Sequence, residues 1–151
     1  MPEEKNIRYI HHKEAHNLTA PEIIVPVLME VLNPRSVVDV GCGIGTFLHV
    51  FRKAGVNDVL GYDGSWVNLD QLSQYLNPAF FREVDLEKSV SPERSFDLAL
   101  CLEVAEHLHP DSADNLVETL TSLSSRILFS AAVPGQMGQN HINEQWPEYW
   151  Q

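Results

Sequence analysis

The residues best equipped for chemistry in this sequence gather at the ends of short apolar runs. Ser36-Val37-Val38-Asp39-Val40 breaks into Gly41-Cys42-Gly43-Ile44-Gly45, and Thr46 then opens a new apolar-periodic segment. Glycines at this spacing let the backbone turn sharply and approach a ligand, and free N–H groups at a helix start favour an anionic group there. The run alone also serves as a plain tight turn, so it selects no ligand by itself. Asp63 adds selectivity, because it lies eighteen residues past Gly45 at the end of the next apolar run, where a carboxylate can accept both hydroxyls of a ribose. Asp85 ends the run after that, placed either to accept the exocyclic amine of an adenine or to cap a helix. Glu103-Val104-Ala105-Glu106-His107 follows a fourth apolar run and offers carboxylates and an imidazole suited to proton transfer.

The elements that must position these groups alternate regularly. Thr19 with Glu22 reads as a capping box ahead of Ile23, Ile24, Val27, Leu28 and Val31, whose spacing predicts a helix, kinked or shortened by Pro26 and stopped at Asn33-Pro34. The apolar run 36–40 predicts a first strand, and a second helix runs from 46 to about 54 and ends at Gly55. A second strand over 58–62, a weak helix over 66–75 and a third strand over 80–84 follow. A fourth strand covers 96–102, Asp111 is expected to cap a helix with Ala113, Leu116, Val117, Leu120 and Leu123 on one face, and 126–133 is a fifth strand. Strands alternating with helices predict an α/β fold, a doubly wound parallel sheet covered on both faces. In such a sheet ligands sit outside the carboxyl ends of the strands, where all these groups collect.

Composition narrows the partners. The chain has 151 residues, 44% of them apolar, enough for one domain burying roughly 70% of its unfolded surface. Ten Lys and Arg against 21 Asp and Glu give a net charge of −11, and from Glu83 onward twelve acidic residues face only Lys88, Arg94 and Arg126. That sign repels phosphate backbones, so nucleic acid is not the expected partner. No targeting or spanning segment is read, since 1–16 is polar and the run 23–32 is short and broken by Pro26; a cytoplasmic domain without membrane contact is expected. Acceptors for ribose and adenine, one anion site and no basic cluster suit a ligand anionic at one end only. S-adenosylmethionine meets this better than a dinucleotide, because its cationic sulfonium gains beside Asp39, Asp63 and Asp85 where a pyrophosphate loses. The Gly-x-Gly-x-Gly spacing likewise differs from the Gly-x-Gly-x-x-Gly of nicotinamide enzymes.

Asp39 through Thr46, Gly61-Tyr62-Asp63-Gly64, Val84-Asp85-Leu86, Phe96-Asp97-Leu98 and Leu102-Glu103-Val104-Ala105-Glu106-His107-Leu108 together resemble the successive motifs of class I S-adenosylmethionine-dependent methyltransferases. The resemblance runs from about 19 to 134. The segment 141–150 resembles one in a bacterial small-molecule methyltransferase subgroup. It implies a Rossmann-like sheet of strand order 3-2-1-4-5 and a cofactor set of Asp39, Gly41, Cys42, Gly43, Gly45, Asp63, Gly64, Asp85, Leu86, Leu102 and Glu103. Glu106 or His107 would then be the base for a small-molecule acceptor, with no metal. The family fold continues past its fifth strand with a helix and an antiparallel pair, so the resemblance also implies a C-terminally truncated form, with 1–18 as a lid and 135–151 as a polar, aromatic tail.

Other readings stay open beside this one. Glu103, Glu106 and His107 with His141 resemble the metal-ligand set of small-RNA 3′-terminal 2′-O-methyltransferases, in which a divalent ion holds ribose hydroxyls. A non-catalytic module that only binds the cofactor is the third. His11, His12 and His16 are expected to be solvated lid residues, and Trp146 and Trp150 to pack on the core. Cys42 and Cys101 follow the first and fourth strands, neighbours in the implied order, so they are expected close together as free thiols. The fifth strand would be an apolar edge, covered by the tail or by self-association.

Overall fold

The structure, a computed structural model, describes residues 9–12 and 14–151; the first part of the expected lid, residues 1–8 and 13, lies outside them. The chain runs α1 (Thr19–Leu32), β1 (Ser36–Val40), α2 (Thr46–Lys53), β2 (Asp58–Asp63), α3 (Leu69–Leu72), β3 (Phe81–Glu83), β4 (Leu98–Leu102), α4 (Ala113–Leu123) and β5 (Ile127–Ser130), with short 3₁₀ turns between them. All five strands pair in parallel in the order β3-β2-β1-β4-β5. Parallel pairing puts every strand's carboxyl end on one edge, so Gly41, Asp63, Val84, Glu103 and Ala131 emerge side by side. Among the described residues no helix is long and apolar enough to cross a membrane.

Strand alternation builds two cores. Val37, Leu98 and Leu100 face one side with Val25, Leu48 and Phe51, and Val38, Val40, Ala99 and Cys101 face the other with Leu116, Leu120 and Leu123. The same alternation corrects the cysteine expectation. Both thiols are free and buried, but Cys42 packs in the first core and Cys101 in the second, on opposite sides of the sheet.

Local detail departs from the sequence reading in several places. No capping box forms, because α1 already includes Thr19, and Asn17 Oδ1 accepts the Thr19 N–H at 2.8 Å. Pro26 does not end the helix. Its inward face is Pro21 and Val25, whereas Ile23, Val27 and Val31 are more than half exposed. The weak third helix shrinks to the single turn of α3, capped by Asn68 Oδ1, which accepts from Asp70 N and Gln71 N. Asp111 sits in a 3₁₀ turn, Pro110–Ser112, whose flanking His109 ring accepts the Asp111 N–H at 3.3 Å; it does not cap α4. The fifth strand ends at Ser130, and the tail returns across it, with Gln145 N donating to Ala132 O at 3.3 Å and the Trp150 ring 5.4 Å from Phe129.

Candidate functional site

An open cleft of about 1840 Å³ lies along the carboxyl edge, larger than the roughly 300–1,000 Å³ of a single small-ligand site. Of the binding and catalytic residues picked out above, all but Gly45 line it. Gly45 instead flanks α2 in a left-handed conformation, with φ 83°.

The floor follows from two local necessities. The turn after β1 puts Gly41 at φ 84°, and a Cβ there would lie 2.3 Å from Val104 Cγ2, so only glycine lets the loop close on the residues after β4. Gly41 N and Cys42 N both donate to Tyr62 O, at 2.7 and 3.1 Å, which ties the loop to the end of β2. Asp63 completes the tie: Gly43 N donates to its Oδ2 and Gly64 N to its Oδ1, each at 2.7 Å. Its carboxylate therefore shapes the loop while its remaining lone pairs face the cleft. Asp85 stands at the rim, half exposed, with Lys88 Nζ 2.9 Å away and the Glu87 N–H on Oδ1. Hydrogen bonding from Lys88 holds its carboxyl below the usual range.

Inside the cleft the acids are held against their ionisation. Burial, and then the charge of Asp63, pushes Asp39 up to about 8. Burial pushes Asp63 to about 6 in spite of its two backbone donors. Glu106 is fully buried, neither carboxylate oxygen has a hydrogen-bond partner, and burial and the neighbouring Glu103 raise it to about 7. Such a site gains from a cationic ligand, which relieves the repulsion among its carboxylates.

The acceptor side is assembled from two distant segments. Glu103 ends β4 with φ 56°, a left-handed conformation rare outside glycine and stored mostly at functional positions. The turn Ala105–His107 then carries Glu106 and His107. The tail docks onto this turn, with Ile142 N and Asn143 N both donating to Glu106 O, at 2.9 and 3.1 Å. Docking brings His141 to within 5.0 Å of His107, centroid to centroid, and one ligand atom each of Glu106, His107 and His141 lies within 4.8 Å of the others. Glu103 is not part of this group. His107 Nδ1 donates to Asn140 O at 3.3 Å, and His141 Nδ1 meets Glu144 Oε1 at 2.8 Å. With Nδ1 protonated in both, the two Nε2 lone pairs remain open.

Two further contributions were hidden in the sequence. Trp66 covers Gly64, and His11 and His16 enter the cleft from ahead of α1. His11 is only 8% exposed, which corrects its reading as a solvated residue; His16 is half-buried, and His12 is a surface residue.

Residues 12–150 match the family model described as a methyltransferase domain. The chain belongs to this methyltransferase family. Its fold is that of the class I enzymes, and its cofactor is S-adenosylmethionine. No curated protein matches the chain. Among solved structures, the methyltransferase domain of bacterial CtHen1-CN is 25% identical with a TM-score of 0.58, the match covering 74% of this chain and 65% of that one. DesVI of Streptomyces venezuelae is 18% identical with a TM-score of 0.61, over 78% of this chain and 52% of that one. An O-methyltransferase family protein from Burkholderia thailandensis is 17% identical with a TM-score of 0.56, over 75% and 37%. The methyltransferase chain thus spans less than two thirds of each of these structures, and the last two support the fold alone.

The cleft fits the cofactor on its own chemistry. The glycine loop leaves bare Cα positions facing the cleft, Asp39 and Asp63 are buried acids that a sulfonium or ammonium group would relieve, and the cleft's cationic side chain, Lys88, is already paired with Asp85.

Proposed function

We propose that the chain holds S-adenosylmethionine along the carboxyl edge and that Glu106, beside His107, takes the proton from a small-molecule acceptor during methyl transfer. In this reading the methionine end lies at 41–45, the ribose at Asp63 and Gly64, and the adenine beside Asp85 and Leu86, with Asp39, Leu102 and Glu103 completing the set. When bound, the cofactor supplies a methyl group already activated by its sulfonium. The protein's part is alignment, which provides most of the acceleration in such a displacement, and removal of the acceptor's proton. The observation that supports Glu106 most is its pair of buried, unpartnered carboxylate oxygens in a cleft, with an affinity for protons close to neutrality. Glu106→Gln should lower release of S-adenosylhomocysteine with a screened small-molecule acceptor by about 10²–10⁴-fold, leaving S-adenosylhomocysteine affinity within about threefold. Undiminished turnover in Glu106→Gln would remove it from this role.

One arrangement favours a second reading. Glu106, His107 and His141 converge as a three-ligand group, and each imidazole has its Nδ1 held by an oxygen, the arrangement that orients histidine ligands on metals. A divalent ion there would serve an acceptor with paired hydroxyls, such as a terminal ribose, as the resemblance to the RNA 2′-O-methyltransferases implies. The net charge of −11 opposes a polyanionic partner. Calorimetric titration with Mn²⁺ separates the two: one ion per chain, lost in His141→Ala, is the result of the metal reading, and no binding is the result of the first.

A further inference from the structure

Methyl transfer as described leaves the segment ahead of α1 without a task, yet that segment occupies part of the cleft. The Tyr9 hydroxyl pairs with His16 Nε2 at 3.2 Å, the rings of His11 and His16 lie 4.6 Å apart edge to face, and Tyr9 stands 5.0 Å from His11 and 4.9 Å from His107. His11 rests on the glycine loop so closely that a Cβ on Gly43 would lie 2.9 Å from its Nε2. Among the described residues, neither ring nitrogen of His11 has a hydrogen-bond partner. The rest of the cleft is hostile to an anion: Asp39, Asp63, Asp85, Glu103 and Glu106 all line it, and Lys88 is bound to Asp85. An amino-acid ligand nevertheless brings a carboxylate, which needs donors away from those acids.

We propose that His11, positioned by Tyr9 and His16, is the donor that holds the α-carboxylate of the methyl donor over Gly43, and that this contact makes the cleft select amino-acid-bearing adenosyl ligands over decarboxylated ones. The proposal rests on the reading that the cleft takes S-adenosylmethionine. Its chemistry is that of a neutral imidazole giving one N–H to an anion in a poorly solvated place, the kind of hydrogen bond that is strong when one partner is charged. His16 lies behind His11 and its Nε2 is engaged by Tyr9, so its part is to set the His11 ring. The adjacent start of α2 adds backbone N–H groups on the same side of the loop, and the acids on the opposite side favour the ligand's ammonium.

The test uses the whole chain and two ligands that differ only in the carboxylate, S-adenosylhomocysteine and its decarboxylated counterpart, both titrated by calorimetry. The unsubstituted protein should prefer the carboxylated ligand by about tenfold or more. In His11→Ala that preference should fall to within about threefold of parity, with the affinity for the decarboxylated ligand unchanged. If circular dichroism shows that His11→Ala does not fold, His11→Phe keeps the ring contacts, removes both nitrogens and must show the same collapse. A preference that survives the loss of the imidazole nitrogens, or two affinities that fall together, would overturn the assignment. Failure of the unsubstituted chain to bind S-adenosylhomocysteine at all would be a different result: it overturns the cofactor reading, and the subsite with it.

Discussion

Replacing Asp63 by alanine tests two roles of one carboxylate at once, and the structure sets the size of each. The side chain accepts two backbone N–H groups at 2.7 Å, from Gly43 and Gly64, and hydrogen bonds to a charged acceptor contribute about 1.5–3 kcal/mol each. Their loss costs the fold about 3–6 kcal/mol. Against this stands the cost of keeping the carboxylate ionised while buried. Its proton affinity rises from 3.8 to about 6, so above pH 6 the charged form is disfavoured by about 3 kcal/mol. The sign follows from the folded value lying above the unfolded one: this penalty is absent below pH 4 and complete above about pH 6. Asp63→Ala should therefore destabilise the protein by only about 0–3 kcal/mol at pH 8 in urea denaturation. The ribose contacts have no such offset, since the variant has nothing to replace them, and S-adenosylhomocysteine affinity measured by calorimetry should fall about 10–100-fold. Unchanged affinity in a folded Asp63→Ala protein would refute the placement of the ribose.

Asp39→Asn should stabilise the free protein at pH 9 by roughly 3–6 kcal/mol and leave it unchanged near pH 3.5, because the buried acid, raised from 3.8 to about 8, loses stability as pH climbs through that window; denaturation at the two pH values checks it. Trp150→Ala removes the ring that packs on Phe129 and should cost about 1–3 kcal/mol, visible as a lowered thermal midpoint with S-adenosylhomocysteine affinity intact. Cys42 and Cys101, both buried and on opposite faces of the sheet, should react with a thiol reagent only after denaturant is added, and mass spectrometry should find no intramolecular disulfide.

The fold was legible because its signals are local. The run 36–40 into three alternate glycines can hardly be anything but a strand turning into a helix, and each strand-end carboxylate marks one more parallel strand reaching the same edge. Helix faces were less legible. Ile23, Val27 and Val31 have helical spacing and high hydropathy, but the neighbouring stripe through Pro21 and Val25 is the one that meets α2 and the sheet; periodicity shows that a face exists, and only packing decides which face is buried. The cap at Asp111 failed because the His109 ring takes the N–H that a capping carboxylate would free for itself. In the site, Asp63 was found by its spacing from the glycines, whereas its bond to Gly43 N was not, since twenty residues separate the partners. His141 and Glu106 are joined through the tail docking on a carbonyl, and His11 meets Gly43 through a loop with no periodicity. Pairings of that kind leave no pattern in a sequence; a histidine pair ahead of a helix was the one hint, and polarity argued the other way.

A crystal structure of the chain with S-adenosylhomocysteine tests the central claim most directly. The account predicts the ligand along the carboxyl edge, with both ribose hydroxyls on Asp63, the adenine against Leu86 and Asp85, the carboxylate on His11, and the sulfur directed toward Glu106. A ligand found in the cavity of about 500 Å³ between α4, β5 and Trp150, or with its ribose away from Asp63, would contradict it.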